Sequence, residues 1–134
     1  MSEQATEIYL AKAQASLDGA ASECANGRYD NCANRAYYAC FQAAVAALLR
    51  EGIGTPGQAE QWGHDYVQAR FNGDLVNRRK RFPPAMRETL IRGLKLRQIA
   101  DYKTERVLDF QALRALTRAR EFVAAVRAAG VERR

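Results

Sequence analysis

The stretch GRYDNCANRAYYACFQAAVAALLREG, Gly27 to Gly52, decides how this chain folds. From Arg28 to Glu51 it contains neither Pro nor Gly, and it is rich in Ala, which loses no side-chain entropy in a helix. Ala33, Ala36, Tyr37, Cys40, Ala43, Ala44, Ala47 and Leu48 cover much of the circumference and leave only a narrow polar edge. A helix that is apolar on so many sides needs neighbours on several of them, so it is expected at the centre of a bundle. Asp30 is its candidate N-cap, and Gly52 its stop.

Working outward, Tyr9, Leu10, Ala13, Leu17 and Ala20 recur at helical spacing between Thr6 and Ala25, and Asn26-Gly27 offers residues that tolerate left-handed geometry. Beyond the loop Gly52-Ile53-Gly54-Thr55-Pro56-Gly57, a short helix is expected from about Glu60 to Phe71, with a break at Asn72-Gly73. Pro83-Pro84 suits the first turn of a long helix reaching about Tyr102, because proline lacks only an N–H that the first turn leaves unpaired. Lys103 to Leu108 reads as a connector, and Asp109 as the cap of a last helix ending near Gly130. These elements make one all-α domain over residues 1–134: an up-and-down helical bundle of four main helices plus a short inserted helix.

Composition agrees. A chain of 134 residues with 48% hydrophobic content can bury a core of its own. No segment is long and apolar enough to cross a membrane, and the opening MSEQATEIYLAKAQ has no apolar core of signal-peptide length, so a cytoplasmic protein is expected. Cys24, Cys32 and Cys40 are odd in number, form no CxxC pair and share the chain with a single histidine, which argues against a disulfide framework or a metal site. No cofactor is implied.

Charge is uneven. Residues 1–60 carry a net −3, residues 61–134 a net +9. The densest basic point is Asn77-Arg78-Arg79-Lys80-Arg81, and Arg78, Arg79, Lys80 and Arg81 are candidates for nucleic-acid contact, with a solvated loop as the alternative.

In the fourth helix, GLKLRQIADYKT (Gly93 to Thr104) sets Arg97 near the middle of the apolar arc made by Met86, Leu90, Leu94, Leu96 and Ala100, with Asp101 beside it. A covered guanidinium must find acceptors or cost several kcal/mol. Either Asp101 satisfies it as an intrahelical ion pair and nothing more, or Arg97 lines a cleft where its planar fork holds phosphate or carboxylate oxygens. Asp30, Asn34, Arg35, Tyr38 and Gln42 form a polar edge along the second helix and a candidate facing surface.

Two segments, Gly27–Gly52 with its NRAYYA phrase and LKLRQIADY from Leu94 to Tyr102, together resemble the HEPN domain (higher eukaryotes and prokaryotes nucleotide-binding), in its small stand-alone prokaryotic group. The spacing HDYVQARF from His64 is similar to the family's third helix. The resemblance implies an α-helical bundle that commonly forms a homodimer, with the functional cleft where two protomers meet. Many members are metal-independent endoribonucleases in which Arg is followed four to six residues later by His. Small members often pair with a minimal nucleotidyltransferase in a toxin–antitoxin or phage-defence module, and the transferase adenylylates a tyrosine of its partner. Here Arg97 matches the arginine, but Tyr102 stands five residues later where that histidine would be. A tyrosine titrating near 10 is a poor substitute for imidazole.

The expectation is a dimeric protein that binds RNA or nucleotide phosphate through Arg97, oriented by Asp101, with Asn34, Arg35, Tyr102 and His64 around it. A ribonuclease using Arg97 with Tyr102 or His64, and a structural dimeric helper, are the alternatives.

Overall fold

The computed structural model describes residues 2–132 as five α-helices, with no strand among the described residues. They are α1 (Ser2–Ala25), α2 (Tyr29–Arg50), α3 (His64–Arg70), α4 (Ala85–Tyr102) and α5 (Asp109–Glu132). A single 3₁₀ turn (Pro56–Gln58) lies in the loop after α2, and a π-helical segment (Phe71–Arg78) extends α3. The helix α2 touches all four others, and its residues Ala39, Ala43, Ala44, Val45 and Leu48 are wholly enclosed. The central position expected from its all-round apolar surface is therefore the one it occupies.

Both glycine stops work as expected, and by one device. Gly27 adopts φ +75°, its N–H donates to the carbonyl of Cys24, and the N–H of Arg28 donates to that of Glu23. At the end of α2, Gly52 adopts φ +80°, with Gly52 N–H on Leu49 and Ile53 N–H on Leu48. This double bond pattern satisfies carbonyls the helix end would otherwise orphan, and Ile53 and Leu48 are both buried beside it.

The expected side-chain caps are placed differently. Asp30 lies inside the first turn of α2, and its Oδ1 instead accepts from the Val107 N–H at 2.8 Å, fastening the α4–α5 connector to α2. Asp109 is the first helical residue of α5. Leu108 precedes it, its carbonyl accepting from Ala112 and its N–H donating to Gln111 Oε1 at 2.9 Å.

The expected short helix, Glu60 to Phe71, is also corrected. It begins only at His64, and the chain does not break at Asn72-Gly73 but continues to Arg78 with a wider turn. Phe71 and Leu75 are fully buried and Val76 nearly so, with the Phe71 ring 5.1 Å from Phe122 and 5.3 Å from Phe82. Burying such side chains is worth about 1.5–3 kcal/mol each, more than the roughly 1 kcal/mol a helical glycine costs. Packing therefore overrides the local break.

Candidate functional site

The helix α4 is deeply buried only at Met86 and Leu90, in its first half. Its second half is partly covered, and there α2 and α3 meet it through an aromatic cluster. Phe41 lies four residues on from Tyr37 and three from Tyr38, so its ring meets both along α2. His64 enters from the first turn of α3, its ring 4.8 Å from Phe41 and 5.5 Å from Tyr37. Gly93 makes room on α4, since a Cβ there would lie 3.3 Å from Tyr37 Cδ1.

Arg97 rests against this cluster. Its guanidinium carbon lies 5.3 Å from the Tyr38 ring centre and 5.6 Å from that of Tyr102, so two aromatic faces flank the cation. Its side chain is 14% exposed. Asp101 Oδ2 stands 3.0 Å from Arg97 Nε, while both Asp101 oxygens accept from Asn34 Nδ2, at 3.1 and 2.8 Å. The pairing expected within α4 is thus present, and α2 joins it through Asn34.

The pair is close but poorly aimed. Arg97 Nε is buried, and its N–H finds no acceptor in line despite the short distance to Asp101. Its Nη2 reaches the Tyr102 hydroxyl only at 3.5 Å, a marginal length. The ion pair neutralises the charge but leaves the Nη side of the fork only marginally bonded, so an oxyanion placed against that side would gain hydrogen bonds that Asp101 does not make.

His64 completes the arrangement. Its Nδ1 lies 2.8 Å from the Tyr37 hydroxyl. Burial pushes the Tyr37 phenol upward, so it keeps its proton at neutral pH and can donate to Nδ1, leaving Nε2 to carry the imidazole proton. Burial first, and the Arg97 charge second, hold the His64 pKa below its ordinary value, with Asp65 opposing them. The imidazole is therefore neutral near pH 7. The Arg97 charge acting on His64 ties α3 to the site, where the sequence reading sets His64 beside Arg97 without a stated partner. The available signal was Tyr37, whose hydroxyl needed a polar partner once its ring was buried.

Other candidate positions lie elsewhere. The stem of Arg35 runs along α1, its Cδ 3.8 Å from where a Cβ on Gly19 would sit, so it faces α1 rather than Asp101. Gln42, oriented with its amide nitrogen toward the carbonyls of Lys12 and Tyr38 at 3.0 and 3.1 Å, likewise ties α1 to α2. The basic cluster is partly engaged internally. Arg79 and Arg81 both pair with Glu51, at 3.1 and 3.3 Å, and Arg78 pairs with Asp74 at 3.5 Å. Lys80, at φ +53°, stays exposed.

The three thiols are free. Burial raises Cys32 and Cys40 to about 12, which suits packing rather than nucleophilic chemistry. Among the described residues no group of His, Cys, Asp and Glu converges as metal ligands, and no helix is long and apolar enough to cross a membrane.

Compared with protein families, residues 6–129 match the family model described as HEPN domain. No curated protein matches the chain.

Proposed function

The chain belongs to the HEPN domain family, and from that premise we propose that it binds RNA or nucleotide phosphate through Arg97. The observation that supports this most directly is a largely covered guanidinium, flanked by Tyr38 and Tyr102, whose Nη2 has only a marginal 3.5 Å contact to the Tyr102 hydroxyl. Tyr102 is 72% exposed, a free aromatic face on which a base can stack beside a phosphate held by Arg97. The +9 charge of residues 61–134 draws polyanions to that half of the chain. In the wider proposal the protein is a cytoplasmic homodimer, with this cleft at or near the dimer axis, and a component of a toxin–antitoxin or phage-defence module beside a nucleotidyltransferase.

A second reading, a metal-independent endoribonuclease, is favoured by His64. The imidazole missing from the arginine's own helix is supplied by α3, neutral and oriented by Tyr37. A neutral Nε2 edge near Arg97 has the chemistry to exchange a proton with a 2′-hydroxyl or leaving oxygen, with Arg97 stabilising charge on the phosphate.

One experiment separates them: labelled RNA in EDTA with the unaltered protein, Arg97→Ala and His64→Gln. Cleavage that both substitutions remove supports the nuclease. Absence of cleavage, with salt-sensitive binding that falls in Arg97→Ala, supports binding alone. Binding unchanged in a folded Arg97→Ala variant rejects both roles for that residue.

A further inference from the structure

On the far side of Tyr37 from His64 the bundle is hollowed. Between α2, α4 and α5 a slot of about 150 Å³ opens to the surface, a volume of the order that one benzene ring fills. Ala33, Ala36 and Cys40 of α2 form its floor, and Gly93 and Leu96 of α4 one wall. At Ala33, Ala36 and Gly93 the small or absent side chains leave unfilled space that leucines would close, so the space is built in by the sequence. The rim has a different chemistry. Arg92 of α4 and Arg114 and Arg118 of α5 stand around the mouth, and no Asp or Glu lines the slot. Arg92 is only loosely paired, 3.6 Å from an exposed Glu88, and no ion pair among the described residues engages Arg114 or Arg118.

An apolar pit the size of one ring, ringed by arginines without a lining carboxylate, is complementary to one kind of occupant. We propose that the α2–α4–α5 slot binds a small organic anion, with a ring-sized apolar body on Ala36 and Cys40 and a carboxylate or phosphate head on Arg114 and Arg118. The apolar body supplies affinity by leaving water, and the arginine forks fix the head outward. This site is separate from Arg97. Tyr37 and the Gly93 against it are common to both, the Tyr37 ring lining the slot and its hydroxyl held on His64.

The probes are benzoate and phenyl phosphate, with benzyl alcohol and inorganic phosphate as the apolar-only and charge-only controls, each titrated against the full chain by calorimetry and amide NMR. Saturable binding of at least one aromatic anion is expected, with shifts centred on Gly93 and Leu96 and on Ala115, which lines the slot from α5, and about tenfold or more weaker binding of both controls. Benzoate and phenyl phosphate differ only in the head, so their ratio identifies the preferred anion. The double variant Arg114→Ala/Arg118→Ala should lose about tenfold in affinity. Ala115→Phe should block the slot, and Arg97→Ala should leave binding unchanged. The proposal is overturned if neither anion saturates by about 10 mM, if benzyl alcohol binds as well as benzoate, or if the arginine double variant, folded by its NMR spectrum, binds as the unaltered protein does.

Discussion

Two regions of this molecule carry basic residues that draw attention in the sequence, and they differ in what the fold leaves available. The run from Arg78 to Arg81 has four cations in succession, yet Arg79 and Arg81 close on Glu51, whose side chain is only 7% exposed, and Arg78 leans on Asp74. Much of its charge pins the loop before α4 to the end of α2. Arg97 is a single cation on an apolar arc, paired with one carboxylate, its buried Nε–H without an acceptor and its Nη2 held only marginally by Tyr102. Charge density is a property of sequence, whereas availability depends on how many acceptors the folded chain brings to each donor.

The sharpest way to break this contrast is Arg97→Ala. Loss of a charge-assisted contact worth about 1.5–3 kcal/mol predicts an RNA affinity lower by about tenfold or more, read by fluorescence anisotropy at fixed salt. Asp101 keeps its bonds to Asn34, so the melting temperature should move little; a large fall would instead make the arginine a folding element.

The opposite experiment frees the other cluster. Glu51→Ala should cost about 1 kcal/mol of stability through its ion pairs with Arg79 and Arg81. It should also steepen the salt dependence of RNA binding, by about 0.7 log units for each arginine that newly meets a phosphate. An unaltered slope would mean that these side chains do not reach RNA even when released.

A smaller effect is expected for Asn34→Ala. It removes the anchor between α2 and Asp101 and should cost about 0.5–1 kcal/mol in chemical denaturation. Binding should change less than in Arg97→Ala, because Asp101 stays in reach of the guanidinium.

The smallest effect is a pH signature. The folded-state pKa of His64 lies below the ordinary 6.5, so in that range the unfolded chain binds more protons than the folded one, and stability rises with pH there. The His64 contribution is complete above pH 6.5 and declines as the pH falls through the window beneath it. His64→Gln should flatten that part of the melting-temperature profile by an amount set by the shift. An unchanged profile would show that His64 is not held neutral by its surroundings.

The sequence by itself determined the bundle. Ala-rich stretches, glycine stops at Gly27 and Gly52 and the proline pair before α4 are local instructions, carried out by backbone sterics and side-chain entropy wherever the chain goes. For the same reason the misplacements were at ends and breaks. Asp30 and Asp109 have the chemistry of caps, but long-range contacts reassign the one and the neighbouring Leu108 displaces the other. Asn72-Gly73 has the chemistry of a break, which buried Phe71 and Leu75 override.

At the site, spacing along α4 identified Arg97 and Asp101, because residues four apart on a helix are neighbours whatever surrounds them. Only the tertiary structure turned Arg35 toward α1, tied Arg79 and Arg81 to Glu51, set His64 against Tyr37 and left a slot between α2, α4 and α5. Each of these joins residues from separate elements, and no period in one element specifies which face another will present to it. That choice is made by the collective packing of the bundle around α2.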